Sequence, residues 1–301
     1  MTSWNHLIRF VGSNGNIYFA SPPNLESVSK LIGLTVDGYK SFPEFLKGDG
    51  SSPVVVQKLL APVPYEGDII CIGVNYREHA AEAELTVPLD PVMWYKPKRA
   101  LNGPGDILIP KAAANSFLDF EGELTIVLSK DTRDVSAEEA ADYILGYTVG
   151  NDLTARMFQD PKRAGGQFTR CKAFDGFAPL GPVLTSAATF GSLDDKRILT
   201  KVNGKVFQDS AIDLIHGPST LISFLSQDIF CSNNRLFYFI NQSFVTELDN
   251  LALLKNQSME QREAYIRAAF STEPRLEIAL CRPECDIASH IAKPKCGSNG
   301  E

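Results

Sequence analysis

The chain has 301 residues, 44% of them hydrophobic and 22% charged, with a formal net charge of −7. That balance belongs to a globular chain with a large core and one or two domains. It argues against a nucleic-acid binder, which needs a basic face, and no apolar run is long enough to span a membrane.

Residues 1–64 read as a small β-rich unit with its linker. Residues 7–11 and 16–20 are predicted strands around the turn Gly12-Ser13-Asn14-Gly15, and residues 42–46 a short helix. The proline-rich residues 60–64 read as a linker. The first residues have neither the charged-then-apolar pattern of a secretory leader nor an Arg-rich transit peptide. A cytoplasmic setting is therefore expected, with a mitochondrial one left open. Of six cysteines, Cys71 and Cys171 read as reduced thiols.

The main unit is expected over residues 65–226. Residues 69–74 form a continuous apolar run of central-strand type. Residues 77–84 are a short polar helix, with His79 and Glu82 at i and i+3 on one face. Residues 92–95 are a strand, followed by Lys96-Pro97. Residues 124–128 are a buried strand rich in β-branched residues, and Glu121 and Glu123 stand just before it.

On a strand, positions i and i+2 share a face. Two carboxylates there, running into an apolar core, repel each other and lose hydration. A divalent cation neutralises them most simply, and oxygen-only ligands favour Mg²⁺, Mn²⁺ or Ca²⁺. The plainer alternative is a solvated strand edge with two surface acids. A second strand-like run, residues 145–152, ends in Asp152, with Arg156 and Gln159 following; a third carboxylate at a strand end could complete an oxygen site.

Further along, Ser136-Ala137-Glu138-Glu139 is a capping box for a helix to about Tyr143. Residues 157–170 are polar, contain glycine and read as a mobile loop. Residues 200–207 are a hairpin turning at Asn203-Gly204, and residues 218–226 a helix. Many short strands and few helices indicate an α+β fold. From residue 227 the character changes. In this tail, Cys281, Cys285, His290 and Cys296 come near the spacing of a zinc knuckle, but two gaps are each one residue too long.

Several segments together resemble the fumarylacetoacetate hydrolase family. They are Gly73-Val74-Asn75-Tyr76 with His79-Ala80-Ala81-Glu82, Lys96-Pro97, Asp119-Phe120-Glu121-Gly122-Glu123-Leu124, Gly146 to Arg156, and Lys172-Ala173-Phe174-Asp175-Gly176. Order and spacing match over residues 65–226. The resemblance implies a mixed β-sheet roll preceded by a small N-terminal β-rich domain. It implies that Glu121, Glu123 and Asp152 bind one Mg²⁺ or Mn²⁺, that His79 and Glu82 activate a water, that Lys172 sits beside the substrate, and that Gln159 contacts it.

The implied activity is metal-dependent hydrolysis of a C–C bond in an acylpyruvate-like or β-diketo acid. The same site without the water step would decarboxylate or tautomerise oxaloacetate. The implied partners are a small 2-oxo or diketo acid and, as is usual in the family, a second copy of the chain. The sequence departs from the family at residues 227–301, where the expected Pro-Gly-Asp strand and Gly-Thr-Pro motif are missing. The tail therefore reads as divergent, as removing a core strand, and as a reason this chain could be an inactive isoform or a non-catalytic metal-binding protein. For Lys172 the plain reading is a surface lysine, and for His79 and Glu82 an exposed helix pair.

Overall fold

The computed structural model describes residues 4–227, except 24, 26, 27, 65–68, 83 and 203, together with the backbone of strands 237–240, 276–281 and 294–296. Its centre is a mixed ten-stranded sheet. In order across that sheet lie Thr35–Gly38, Ser52–Leu59, His6–Gly12, Val183–Ser186, Ile144–Asn151, Gly122–Leu128, Phe237–Ile240, Ile69–Gly73 and Val92–Lys96. Ile17–Ala20 pairs with His6–Gly12 from the side. Helices are few and short, so the fold is α+β, a mixed sheet roll of the expected type with its β-rich N-terminal part.

Alternation along the strands decides what each face buries. Ile70 and Ile72 join Leu124, Ile126 and Leu128 in one core cluster, while Ile69 and Cys71 join Trp94 and Val127 in another. Residues two apart share a face, so Glu123 and Thr125 follow Val127, and Lys96 follows Trp94. The second face is thus apolar at its middle and charged at one end. On the first face the helix Pro218–Ser226 packs Leu221, Ile222 and Leu225. Truncating one of these to alanine would cost about 2–5 kcal/mol.

Three sequence expectations change. The tail does not leave the sheet short of a strand: Phe237–Ile240 runs antiparallel to Leu124–Val127 and parallel to Ile69–Ile72. Leu276–Cys281 pairs with Arg197–Val202, and Pro294–Cys296 with Ile107–Ile109. An apolar run of four can fill a central slot without the family's usual residues, because the ladder bonds come from the backbone. Cys285 and His290 lie outside the described residues.

The expected mobile loop at 157–170 contains helical turns, Arg156–Gln159, Pro161–Ala164 and Thr169–Lys172. Asp160 caps the second of them by accepting from the Lys162 backbone N–H. The capping box at Ser136 is made in both directions, with Ser136 Oγ accepting from the Glu139 N–H and Glu139 Oε2 from the Ser136 N–H. Yet it opens only a 3₁₀ turn, Ala140–Tyr143, because the strand Ile144–Asn151 begins at once and must pair with Leu128.

The N-terminal strands keep a small core of their own around Phe10, Tyr18 and Val56. They are also joined to the main sheet, since His6, Leu7 and Ile8 pair with Thr185, Leu184 and Val183.

Candidate active site

The charged end of the second face is where the antiparallel strands Gly122–Leu128 and Ile144–Asn151 meet their loops. Gly122 lies opposite Asn151, so Glu121 and Asp152 leave the ladder side by side. The Asp152 N–H donates to the Glu121 carbonyl at 2.9 Å, and the Glu121 N–H to Asn151 Oδ1 at 3.1 Å. These bonds fix the two carboxylates against each other before any side-chain contact is counted.

Both carboxylates converge on Lys172, from the turn Thr169–Lys172. Its Nζ donates to Glu121 Oε2 at 2.7 Å, to Asp152 Oδ2 at 2.8 Å and to Thr154 Oγ1 at 2.8 Å. The ammonium also lies 5.0 Å from the centre of the Trp94 ring. Lys172 is 1% exposed, and Glu121 and Asp152 are fully buried, which rules out the surface-lysine alternative. Arg156 holds the outer side. Its guanidinium donates to Asp119 Oδ2 at 2.6 Å and to Glu121 Oε1 at 2.5 Å, and also to Gln159 Oε1 at 3.0 Å. Gln159, expected to meet substrate, here orients Arg156.

Charges packed this closely shift one another. Burial pushes the Glu121 carboxyl up, but Arg156 and Lys172 outweigh it and hold the group well below its ordinary 4.5. Burial pushes Lys172 down, but Asp152 and Glu121 reverse this and hold its ammonium above the ordinary 10.5. Asp119 is raised, because burial there exceeds the help from Arg156.

His79 lies on the helix Arg77–Glu82 and is 3% exposed, so it is not half of an exposed surface pair. Burial lowers its pKa below 6.5; the charge of Glu121 opposes this and that of Arg156 adds to it. The imidazole therefore stays neutral at pH 7, close enough to feel both charges. Its Nδ1 is buried with no hydrogen-bond partner among the described residues. Glu82 is described by its backbone only.

Glu123 is fully buried on the same face. Its charge raises the Cys71 thiol, as does that of Asp152, although burial is the larger cause. Among the described residues, no three His, Cys, Asp or Glu side chains are drawn together as a metal cage. The convergent pair is Glu121 and Asp152, and the Lys172 ammonium occupies the point between them.

The profile of the fumarylacetoacetate (FAA) hydrolase C-terminal domain matches residues 68–236, more than half of the chain. The chain belongs to the fumarylacetoacetate hydrolase family. An uncharacterized protein of Archaeoglobus fulgidus is 41% identical over 220 residues, 72% of this chain and 78% of that one. The oxaloacetate tautomerase YisK of Bacillus subtilis is 39% identical over 174 residues, 56% of this chain and 57% of the tautomerase. This chain therefore spans little more than half the length of that relative. Among solved structures, 2-hydroxyhepta-2,4-diene-1,7-dioate isomerase from Mycobacterium marinum superposes with a TM-score of 0.69 at 26% identity, covering 97% of this chain and 99% of the isomerase. No helix among the described residues is long and apolar enough to cross a membrane.

Members of the fumarylacetoacetate hydrolase family commonly use divalent metals, and the residues of this member fit such an ion in donor chemistry. Two carboxylates from separate strands meet at one buried point that already holds a cation. Among the described residues, the buried acids Asp119, Glu121 and Asp152 are paired with Lys96, Arg156 and Lys172. Glu121 and Asp152 would hold such an ion.

Lys96, Thr154 and Trp94 also belong to the cluster, beyond the residues expected from the sequence. The signal for Lys96 was available: it stands on the inward face of an alternating strand, two residues from a buried tryptophan.

Proposed function

We propose that this chain interconverts the keto and enol forms of a small 2-oxo dicarboxylic acid such as oxaloacetate. The observation that carries this reading is the buried convergence of Glu121 and Asp152 on Lys172, beside a neutral His79. The names of the relatives, a tautomerase and an isomerase, support the same class of proton transfer.

A hydrogen next to a ketone becomes acidic once the carbonyl oxygen can carry negative charge. Lys172 supplies a buried positive charge for that oxygen. Arg156 adds a second cation at the rim, suited to a substrate carboxylate. His79, neutral at pH 7 and with Nδ1 open, takes the proton from carbon and returns it. A Mg²⁺ or Mn²⁺ held by Glu121 and Asp152, with Glu123 as the third carboxylate, would supply Lewis-acid polarisation of the substrate's oxygens.

A second reading is hydrolysis of the C–C bond of an acylpyruvate, with His79 deprotonating water and Glu82 orienting it. The electrostatic influence of Glu121 on His79 supports this too, because a base near the carboxylates serves water as well as carbon.

The two separate by product. With Mg²⁺ present, the first predicts rapid ketonisation of enol-oxaloacetate and slow cleavage of acetylpyruvate; the second predicts the reverse. In either case the acid limb of the kcat/KM profile lies below pH 6.5, where the lowered imidazole protonates, and H79Q flattens that limb with a loss of about 10²–10⁴-fold. An H79Q enzyme with an unchanged profile removes His79 from the mechanism.

A further inference from the structure

Lys96 is a second buried lysine at this site, and neither reaction above uses it. It ends the strand Val92–Lys96 and is fully buried. Its ammonium lies within hydrogen-bond distance of three main-chain carbonyls: Phe177 at 2.7 Å, Lys172 at 2.8 Å and Leu153 at 3.3 Å. The same ammonium lies 2.6 Å from Asp152 Oδ1. Asp152 is therefore held between two lysines, with Lys96 on one oxygen and Lys172 on the other.

The two lysines are anchored differently. All three hydrogen bonds of Lys172 go to side chains, Glu121, Asp152 and Thr154. Side chains can turn, so these bonds can be exchanged for bonds to an incoming molecule. The bonds of Lys96 go to backbone that is itself built into the fold, and they cannot be released without moving three chain segments. A buried ammonium is costly unless fully partnered, and packing alone would be served by an apolar side chain of the same length.

We propose that Lys96 is a positioning residue: a permanent counter-ion that holds the Asp152 carboxylate in place, and so frees Lys172 to leave Asp152 when substrate arrives. It also ties the Lys172 carbonyl to the strand, which sets the start of the Lys172 side chain. The proposal rests on Lys172 being the group that meets substrate.

The test is proton–nitrogen NMR of the ammonium groups in lysine-labelled full chain. Lys96 and Lys172 should both give protected signals, assigned by their loss in K96M and K172M. Addition of Mg²⁺ with oxalate, a flat mimic of an enolised 2-oxo acid, should shift the Lys172 signal and leave that of Lys96 in place. K96M should lower kcat about 10- to 100-fold, with KM little changed. If both signals move, or neither does, or if K96M keeps the wild-type kcat, the proposal fails. Should K96M not fold, K96Q, which can still bond the carbonyls, supplies both the assignment and the kinetics. A wild-type chain that turns over neither substrate sinks the functional reading alone, because the spectra still report which lysine is fixed.

Discussion

Glu121 holds two cations on one carboxylate, Arg156 on Oε1 and Lys172 on Oε2. Removing one partner from a buried pair leaves a charge without compensation, at a cost of about 3–5 kcal/mol. E121Q should therefore lower stability by that amount at pH 7, measured by denaturant melts. The pH dependence has a definite sign. The folded carboxyl titrates below its ordinary 4.5, so its contribution is complete above that pH and is lost as pH falls beneath it. Asp119, raised by burial, moves the opposite way and offsets part of the loss. The stability gap between wild type and E121Q should narrow from pH 5 to pH 3. A constant gap would mean that Glu121 is not held ionised by its neighbours.

At this scale the sequence was legible where chemistry and strand spacing coincide. Glu121 and Asp152 could be named from it, Lys172 only through the family resemblance, and the three do meet. What it could not show is that an ammonium, and not a third carboxylate, occupies the point between the first two. That depends on Thr169–Lys172 folding back under the sheet, a contact 51 residues away from Glu121 in sequence. The partnership of Arg156 with Gln159 was hidden for a similar reason, since a 3₁₀ turn sets it and the segment reads as loop.

Among the elements, the strand Phe237–Ile240 carries the most consequence. It fills the slot between Gly122–Leu128 and Ile69–Gly73, so without it two interior strands would present open edges. Proline cannot donate to a ladder and is not tolerated in a central strand. F239P should give a chain that is unfolded or aggregated at 25 °C, while F239V, which keeps the backbone N–H for the ladder, should be far milder. Circular dichroism and gel filtration would read both, and a soluble, fully folded F239P would put this strand outside the sheet. The sequence carries the apolar run plainly enough. It matches no motif of the family, yet any four β-compatible residues can supply the backbone bonds.

Close approach also shapes the neighbouring strand. A Cβ on Gly146 would stand 2.2 Å from the Thr185 carbonyl oxygen, so only glycine lets Ile144–Asn151 pair with Val183–Ser186 at that point. This glycine belongs to the recognised Gly146 to Arg156 segment, and its role there is in the sheet, one strand-length from the charged cluster.

Across the whole molecule, the sheet joins what the sequence divides. A linker at 60–64 reads as a boundary, but His6–Gly12 lies beside Val183–Ser186, and the N-terminal strands continue the main sheet. Local patterns report turns and strand faces; they do not report which distant strand becomes a neighbour. The fold class was legible because short strand-like segments recur along the chain with few helices between them, whereas the strand order was not. The outcome is one sheet whose charged end gathers Lys96, Glu123, Asp152 and Lys172 from four separate stretches of chain, backed by an apolar face that keeps water away.

The most direct test is the rate of enol-oxaloacetate ketonisation with wild type and D152N, each with Mg²⁺ and with chelator. D152N keeps the shape of the side chain and removes its charge. Wild type should accelerate the reaction, should lose that acceleration with chelator, and should exceed D152N by about 10²-fold or more. Equal rates for wild type and D152N, or a rate indifferent to both enzyme and metal, would contradict a catalytic role for this buried cluster.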